Sequence, residues 1–201
     1  MKHITLRASI NEELCIGCGT CAKVCPTMAI AMVDKKAVID PARCRACANC
    51  NQRCPTQAVT MVKLEEPFRV FVPVDDVPAE AIEALCRKAG FNPSQILCYC
   101  TATRAEEVAA CILKGATSPE EISLQTGLRC GCSVECIQPA LRLLVAHGIR
   151  PVPPAGGWQW YGVTPTLKDI PKAIRVKYNP RGFYFDDDQR LFESVVQSER
   201  R

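Results

Sequence analysis

Cys15-Ile16-Gly17-Cys18-Gly19-Thr20-Cys21-Ala22-Lys23-Val24-Cys25-Pro26 returns 29 residues later as Cys44-Arg45-Ala46-Cys47-Ala48-Asn49-Cys50-Asn51-Gln52-Arg53-Cys54-Pro55. The repeat runs on past the prolines: Thr27, Ala29, Met32 and Val33 fall on Thr56, Ala58, Met61 and Val62. Each half is one C-x2-C-x2-C-x3-C-P unit followed by a short apolar strand, Ala29 to Val33 or Ala58 to Val62.

Three thiols at two-residue gaps on a tight loop can wrap three corners of a cubane, while the fourth, on a short helix, points away to the neighbouring cluster. The spacing therefore assigns one [4Fe-4S] cluster to Cys15, Cys18, Cys21 and Cys54. A second goes to Cys25, Cys44, Cys47 and Cys50. Zinc knuckles are the competing reading, but zinc sites take their cysteines in pairs and do not require this triple spacing twice. Gly17 and Gly19 let backbone N–H groups approach the cluster sulfurs, whereas Ala46 and Ala48 leave the second loop less conformational freedom. With all eight ligand positions and both prolines matched, residues 1–65 resemble a bacterial two-cluster ferredoxin. That resemblance implies two antiparallel strand pairs with two short helices around the clusters, and one-electron transfer at low potential.

Fifteen cysteines in 201 residues lie in two blocks, Cys15 to Cys54 and Cys86 to Cys136, with none beyond. A disulfide scaffold would need an oxidising compartment, but the start Met-Lys-His-Ile-Thr-Leu-Arg lacks a signal-peptide core and no stretch of 18 apolar residues occurs. A cytoplasmic, metal-binding chain without membrane insertion is expected. Residues 1–65 carry nine Lys/Arg against five Asp/Glu, with Lys35, Lys36, Arg43, Arg45 and Arg53 prominent. Ferredoxins of the resembled family are usually acidic, so this excess points to a fixed subunit facing an acidic partner. With no long basic run, nucleic acid is not an expected partner.

Glu65-Glu66-Pro67 reads as the end of the first unit, and Phe68 to Val74 as a connecting strand or extended linker within a linker strand and helix over 66–95. Helices are expected over Pro78 to Ala89, from a Thr103/Glu106 capping box to Lys114, from a Ser118/Glu121 capping box to Gly127, and over Ser133 to His147. Cys98-Tyr99-Cys100 and the run Cys130-Gly131-Cys132-Ser133-Val134-Glu135-Cys136 sit beside helix starts, whose partial positive charge suits a thiolate-ligated centre. Over about 96–146 the pattern resembles the [2Fe-2S] domain of bacterioferritin-associated ferredoxin: C-x-C, two helices, then two close cysteines before a final helix. The resemblance implies a [2Fe-2S] cluster on Cys98 and Cys100 plus two of Cys130, Cys132 and Cys136. Cys132 and Cys136 are the preferred pair, Cys130 the alternative, and a four-cysteine zinc site the alternative metal. Cys86 and Cys111, on apolar helix faces, read as core residues.

Residues 151–201 form an aromatic, proline-interrupted arm that cannot build a core until Asp186-Asp187-Asp188 starts a helix to about Ser198. Such an arm needs a surface to bury its rings, either its own second module or a partner. No nucleotide or flavin fingerprint and no nucleophile–base pair is visible, and neither His3 nor His147 reads as a metal ligand. The expected protein is α+β: a two-cluster ferredoxin domain (1–65), a small helical [2Fe-2S] domain (96–150) and the extended arm. Its expected role is that of a non-catalytic electron-transfer subunit, relaying single electrons between oxidoreductase subunits, including a flavoprotein, in a hetero-oligomer. A redox-sensing regulatory or assembly protein, or a zinc-stabilised adaptor, are the alternatives.

Overall fold

In the computed structural model residues 2–132 and 135–198 are described, and they form a mixed helix and strand structure. The repeat appears as two interleaved halves. Strand β1 (Lys2–Ile10) leads into the first cysteine loop and helix α1 (Thr20–Val24), followed by β2 (Ile30–Val33) and β3 (Lys36–Ile39); the second loop leads into α2 (Asn49–Gln52) and β4 (Val59–Val70). β1 pairs antiparallel with β4, and β2 with β3 through a turn at Asp34 and Lys35, both with left-handed backbone. The buried apolar residues between these layers are mostly small, Ala8, Ala29, Ala37 and Val59 beside the larger Ile30, and they pack with Cys21, Cys44 and Cys50. The thiols are part of the core itself.

Glu65-Glu66-Pro67 does not close this unit. β4 runs straight through it to Val70, and β1 stays in register to the end, with His3 opposite Arg69 and Ile4 opposite Phe68. The pairing shifts between Ile4 and Leu6, and this irregularity lets Pro67, which has no N–H to donate, sit within the strand. Of the two readings of Phe68 to Val74, the strand holds for Phe68 to Val70, as the end of β4.

The second cysteine block builds a helical layer. α3 (Ala79–Ala89) ends at Gly90, in left-handed conformation, and β5 (Ile96–Cys98) pairs with β6 (Thr103–Arg104). α4 (Ala105–Leu113), α5 (Pro119–Thr126) and α6 (Ile137–His147) then pack around Val108, Ile112, Ile122, Leu128, Leu143 and Leu144. Cys86 and Cys111 are fully buried in this core, and burial pushes the Cys111 thiol up to about 12. The Ser118/Glu121 capping box is present, with Glu121 N–H donating to Ser118 Oγ at 3.2 Å and Ser118 N–H to Glu121 Oε2 at 3.2 Å. The Thr103/Glu106 box is not. Arg104 N–H donates instead to Glu107 Oε2 at 2.8 Å, one residue later, and Glu107 is held there by Lys2 Nζ at 2.8 Å. The expected start of α6 at Ser133 lies outside the described residues; its helix begins at Ile137, with Cys136 as N-cap.

Several basic residues of the first half are engaged within the chain. Lys36 Nζ donates to the carbonyls of Glu12 and Cys15, each at 2.7 Å; Arg43 Nε donates to Thr27 O while Thr27 Oγ1 donates to Arg43 O. Arg53 reaches Asn49, and Arg45 Nε donates to Leu124 O at 2.8 Å in α5 while its guanidinium lies over the Phe68 ring. These side chains tie the cysteine loops to each other and to the helical layer.

The arm folds back over its own chain. Tyr161 is buried against Ile137 and Leu141, Gln138 and Arg142 bind the backbone of Gly162 and Thr164, and the Tyr161 hydroxyl donates to Glu120. Glu120 also pairs with Arg129 at 2.7 Å, both 6% exposed. Two further helices follow, α7 (Lys172–Tyr178) and α8 (Phe185–Gln197), and α7 is an element the proline spacing did not suggest. Asn92 and Arg87 hold the end of α8 by donating to the carbonyls of Ser198 and Val196. Trp160 and Tyr184 remain 66% and 67% exposed.

Glu120 thus joins the helical layer, the Arg129 loop and the arm. Glu120→Ala leaves the buried Arg129 guanidinium with Gln159 but without its charged partner, a change that costs about 3–5 kcal/mol. A lowered denaturant midpoint with faster proteolysis of the arm is the expected result; an unchanged midpoint would remove Glu120 from this role.

Candidate iron–sulfur sites

Three cavities are each lined by four cysteines. The first, about 340 Å³, is lined by Cys15, Cys18, Cys21 and Cys54 with Gly19, Thr20 and Ala58. The second, about 300 Å³, is lined by Cys25, Cys44, Cys47 and Cys50 with Thr27, Ala29 and Ala48. The fourth cysteine of each repeat therefore faces the other repeat's loop, as the spacing requires. Among the described residues no three His, Cys, Asp or Glu side chains converge on single-ion distances, so each set surrounds a space.

The loops have the same backbone despite different residues. Gly17 and Ala46, Gly19 and Ala48, and Met28 and Gln57 all have positive φ, between 52° and 73°. Ala46 and Ala48 adopt the same left-handed form as the glycines, at a cost of roughly 1–2 kcal/mol per non-glycine residue, in keeping with their lower backbone freedom. Gly17 is different in kind. A Cβ there would fall 2.2 Å from the Lys35 carbonyl oxygen, because the β2–β3 turn closes over the first loop. No such contact was legible in the spacing of the repeat.

Hydrogen bonds to sulfur repeat with the chain. Ala29 N–H donates to Cys25 Sγ and Ala58 N–H to Cys54 Sγ, both at 3.2 Å. Cys18 Sγ and Thr20 Oγ1 share a hydrogen bond at 3.4 Å, and this contact holds the Cys18 thiol below its ordinary pKa. Cys50 is pushed up to about 12, first by burial and then by the negative charge of Cys47, Cys25 and Cys44. Four sulfurs so placed repel one another as thiolates unless cations lie between them, and that donor chemistry fits an iron–sulfur cluster.

The third cavity, about 650 Å³, lies between β5 and the start of α6 and is lined by Cys98, Cys100, Cys132 and Cys136 with Phe91, Leu97, Tyr99 and Pro139. Cys98 and Cys136 are buried, Cys100 and Cys132 exposed. The Cys136 thiol hydrogen-bonds Cys98, which lowers Cys98 to about 5, with Thr101 adding to the effect against the opposing pull of burial. Cys130 is not in the wall of this cavity; its thiol lies against Cys47 of the second. The resemblance preferred Cys132 to Cys130, and it is Cys132 that lines this cavity, the chain passing Cys100 at Gly131 between the two. No histidine lines any of the three cavities.

A family model for the 4Fe-4S binding domain, Fer4, matches residues 8–31, which contain the first repeat's four cysteines. No curated protein and no solved structure matches the chain. The matched stretch is a ferredoxin-type segment that supports a [4Fe-4S] cluster and an iron–sulfur electron-transfer role. Among the described residues no helix is long and apolar enough to cross a membrane.

The loop geometry separates two substitutions that look alike. Gly17→Ala adds a methyl group where the Lys35 carbonyl stands, so it should destabilise the first loop and lower cluster occupancy, while Ala46→Gly relieves backbone strain and should leave occupancy unchanged or higher. Iron content and visible absorbance of the two variants, purified without oxygen, check this; equal losses in both would contradict the role given to the β2–β3 turn.

Proposed function

We propose that the chain is a three-centre electron carrier: two [4Fe-4S] clusters on the crossed sets Cys15, Cys18, Cys21, Cys54 and Cys25, Cys44, Cys47, Cys50, and a [2Fe-2S] cluster on Cys98, Cys100, Cys132 and Cys136. The observation that carries this reading is that three cavities are walled by these three sets of four and no set shares a cysteine with another. The division follows a two-cluster ferredoxin part, a helical third-site part and an arm that braces them. The clusters, once bound, supply one-electron redox chemistry; the protein's own groups position the thiolates, exclude water from Cys21, Cys44 and Cys50, and set potentials through hydrogen bonds to sulfur.

The first and third sites open to solvent. Cys18 is exposed beside Leu14 and Ile16, which are 49% and 66% exposed, and Cys100 is exposed beside Tyr99 at 83%. Apolar collars around an accessible sulfur suit brief contact with redox partners. This supports a subunit role between a flavoprotein or similar donor and a catalytic partner, the chain having no flavin fingerprint of its own.

Anaerobically purified protein should contain about ten iron atoms with matching sulfide and show both cubane and [2Fe-2S] EPR signals on reduction. Zinc in stoichiometric amount with about eight irons would replace the third cluster by a structural zinc site, and cluster loss on mild oxidation without reversible reduction would favour the sensor reading. Cys25→Ser should damage the cluster of the second loop and Cys54→Ser that of the first. Loss confined to the mutated residue's own loop would refute the crossed assignment.

A further inference from the structure

The arm does more than brace the chain. Where it crosses the ferredoxin half it leaves a cleft of about 800 Å³, the open mouth included, whose lining comes from three places: residues from Ala22 to Ala31 in the first repeat, Glu120 and Arg129 in the helical layer, and residues from Pro154 to Tyr161 in the arm. A tight turn shapes the arm wall. Gly156 has a φ of 70°, Gly157 N–H donates to Pro154 O at 2.9 Å, and a Cβ on Gly157 would lie 2.9 Å from that same oxygen. After this turn Trp158, Gln159 and Tyr161 enter the lining, while the Trp160 ring packs on Gly162 and is not part of the wall.

The cleft has an apolar and a polar side. Met28, Ile30, Ala31, Pro154 and Trp158 supply apolar surface, and Met28 and Trp158 keep 51% and 48% of theirs open. Opposed to them is a buried polar group: Arg129 pairs with Glu120 at 2.7 Å and donates to Gln159, and the Tyr161 hydroxyl donates to the same Glu120 oxygen. Arg129 is 5% exposed, and its Nε has no acceptor among the described residues, a costly state for a buried donor. Glu120 already answers Arg129, so the exposed Lys23 leaves the lining with two cations against one carboxylate. An apolar slot with a few convergent polar groups is the form a small-molecule site takes. We propose that this cleft binds a small aromatic carboxylate, with its ring against Trp158 and Met28 and its charge answered by Lys23 and Arg129. The flat indole and the polarizable thioether suit a ring, and the surplus cation and the unanswered Arg129 donor call for an acceptor on the ligand. Cys25 belongs to the same lining, so the ligand lies beside the wall of the second cysteine cavity. The site itself does not depend on what the cysteines hold.

Isothermal titration calorimetry on the full-length, anaerobically purified and oxidised protein tests the proposal, with 2-naphthoate as probe, 2-naphthamide as its uncharged counterpart and acetate as a carboxylate without a ring. The expected result is binding of one 2-naphthoate per chain, with the amide and acetate each weaker by about tenfold or more. Two variants locate the site at residues exposed enough to be changed without unfolding the chain. Trp158→Leu should weaken 2-naphthoate by about tenfold, and Lys23→Gln by about fivefold while leaving the amide unaffected. Absence of heat with 2-naphthoate up to about 10 mM would overturn the proposal. So would an amide that binds as well as the carboxylate, or binding that either variant leaves unchanged, because the ligand class or the place would then be wrong. The iron content of the same samples reports on the cluster reading separately.

Discussion

The reach of one thiol across to the other half of a repeat is the constraint on which the rest of the structure depends. Cys25 and Cys54 each leave their own loop at the end of a short helix and complete the wall of the opposite cavity. Neither cavity closes unless both halves are folded together. Small residues such as Ala8, Ala29, Ala37 and Ala58 leave room for this, so the first 70 residues have little apolar core apart from the sulfur sites. Metal binding and folding are coupled in such a design, because the sites exist only in the folded chain.

Much of the surrounding structure serves to hold that arrangement still. Lys36, Arg43 and Arg45 bind backbone carbonyls of the ligand loops and of α5, and the β2–β3 turn covers Gly17. The helical layer and arm brace the same region from the other side, with Glu120 joining Arg129 and Tyr161 beside the second site. The second centre is consequently the enclosed one, and the first and third keep exposed cysteines.

The doubled cysteine unit was legible because its ligand spacing is a mechanical necessity that nothing else in the chain requires. The Ser118/Glu121 cap was equally plain, since both partners are local. What could not be read was set by tertiary contact. The positive φ of Ala46 and Ala48 comes from the site and not from residue preference, and Glu107 rather than Glu106 caps α4 because Lys2, 105 residues away in sequence, holds it. Composition likewise does not show that Lys36 and Arg45 donate to carbonyls. The resemblance preferred Cys132 to Cys130, but the passage of Gly131 past Cys100 between them was not legible in the spacing.

Anomalous scattering at the iron edge from crystals of the anaerobically prepared protein tests the account most directly. The prediction is three separate iron sites: one within Cys15, Cys18, Cys21 and Cys54, one within Cys25, Cys44, Cys47 and Cys50, and one within Cys98, Cys100, Cys132 and Cys136. Iron held by the four cysteines of a single repeat, or a third peak on Cys130 in place of Cys132, would contradict it.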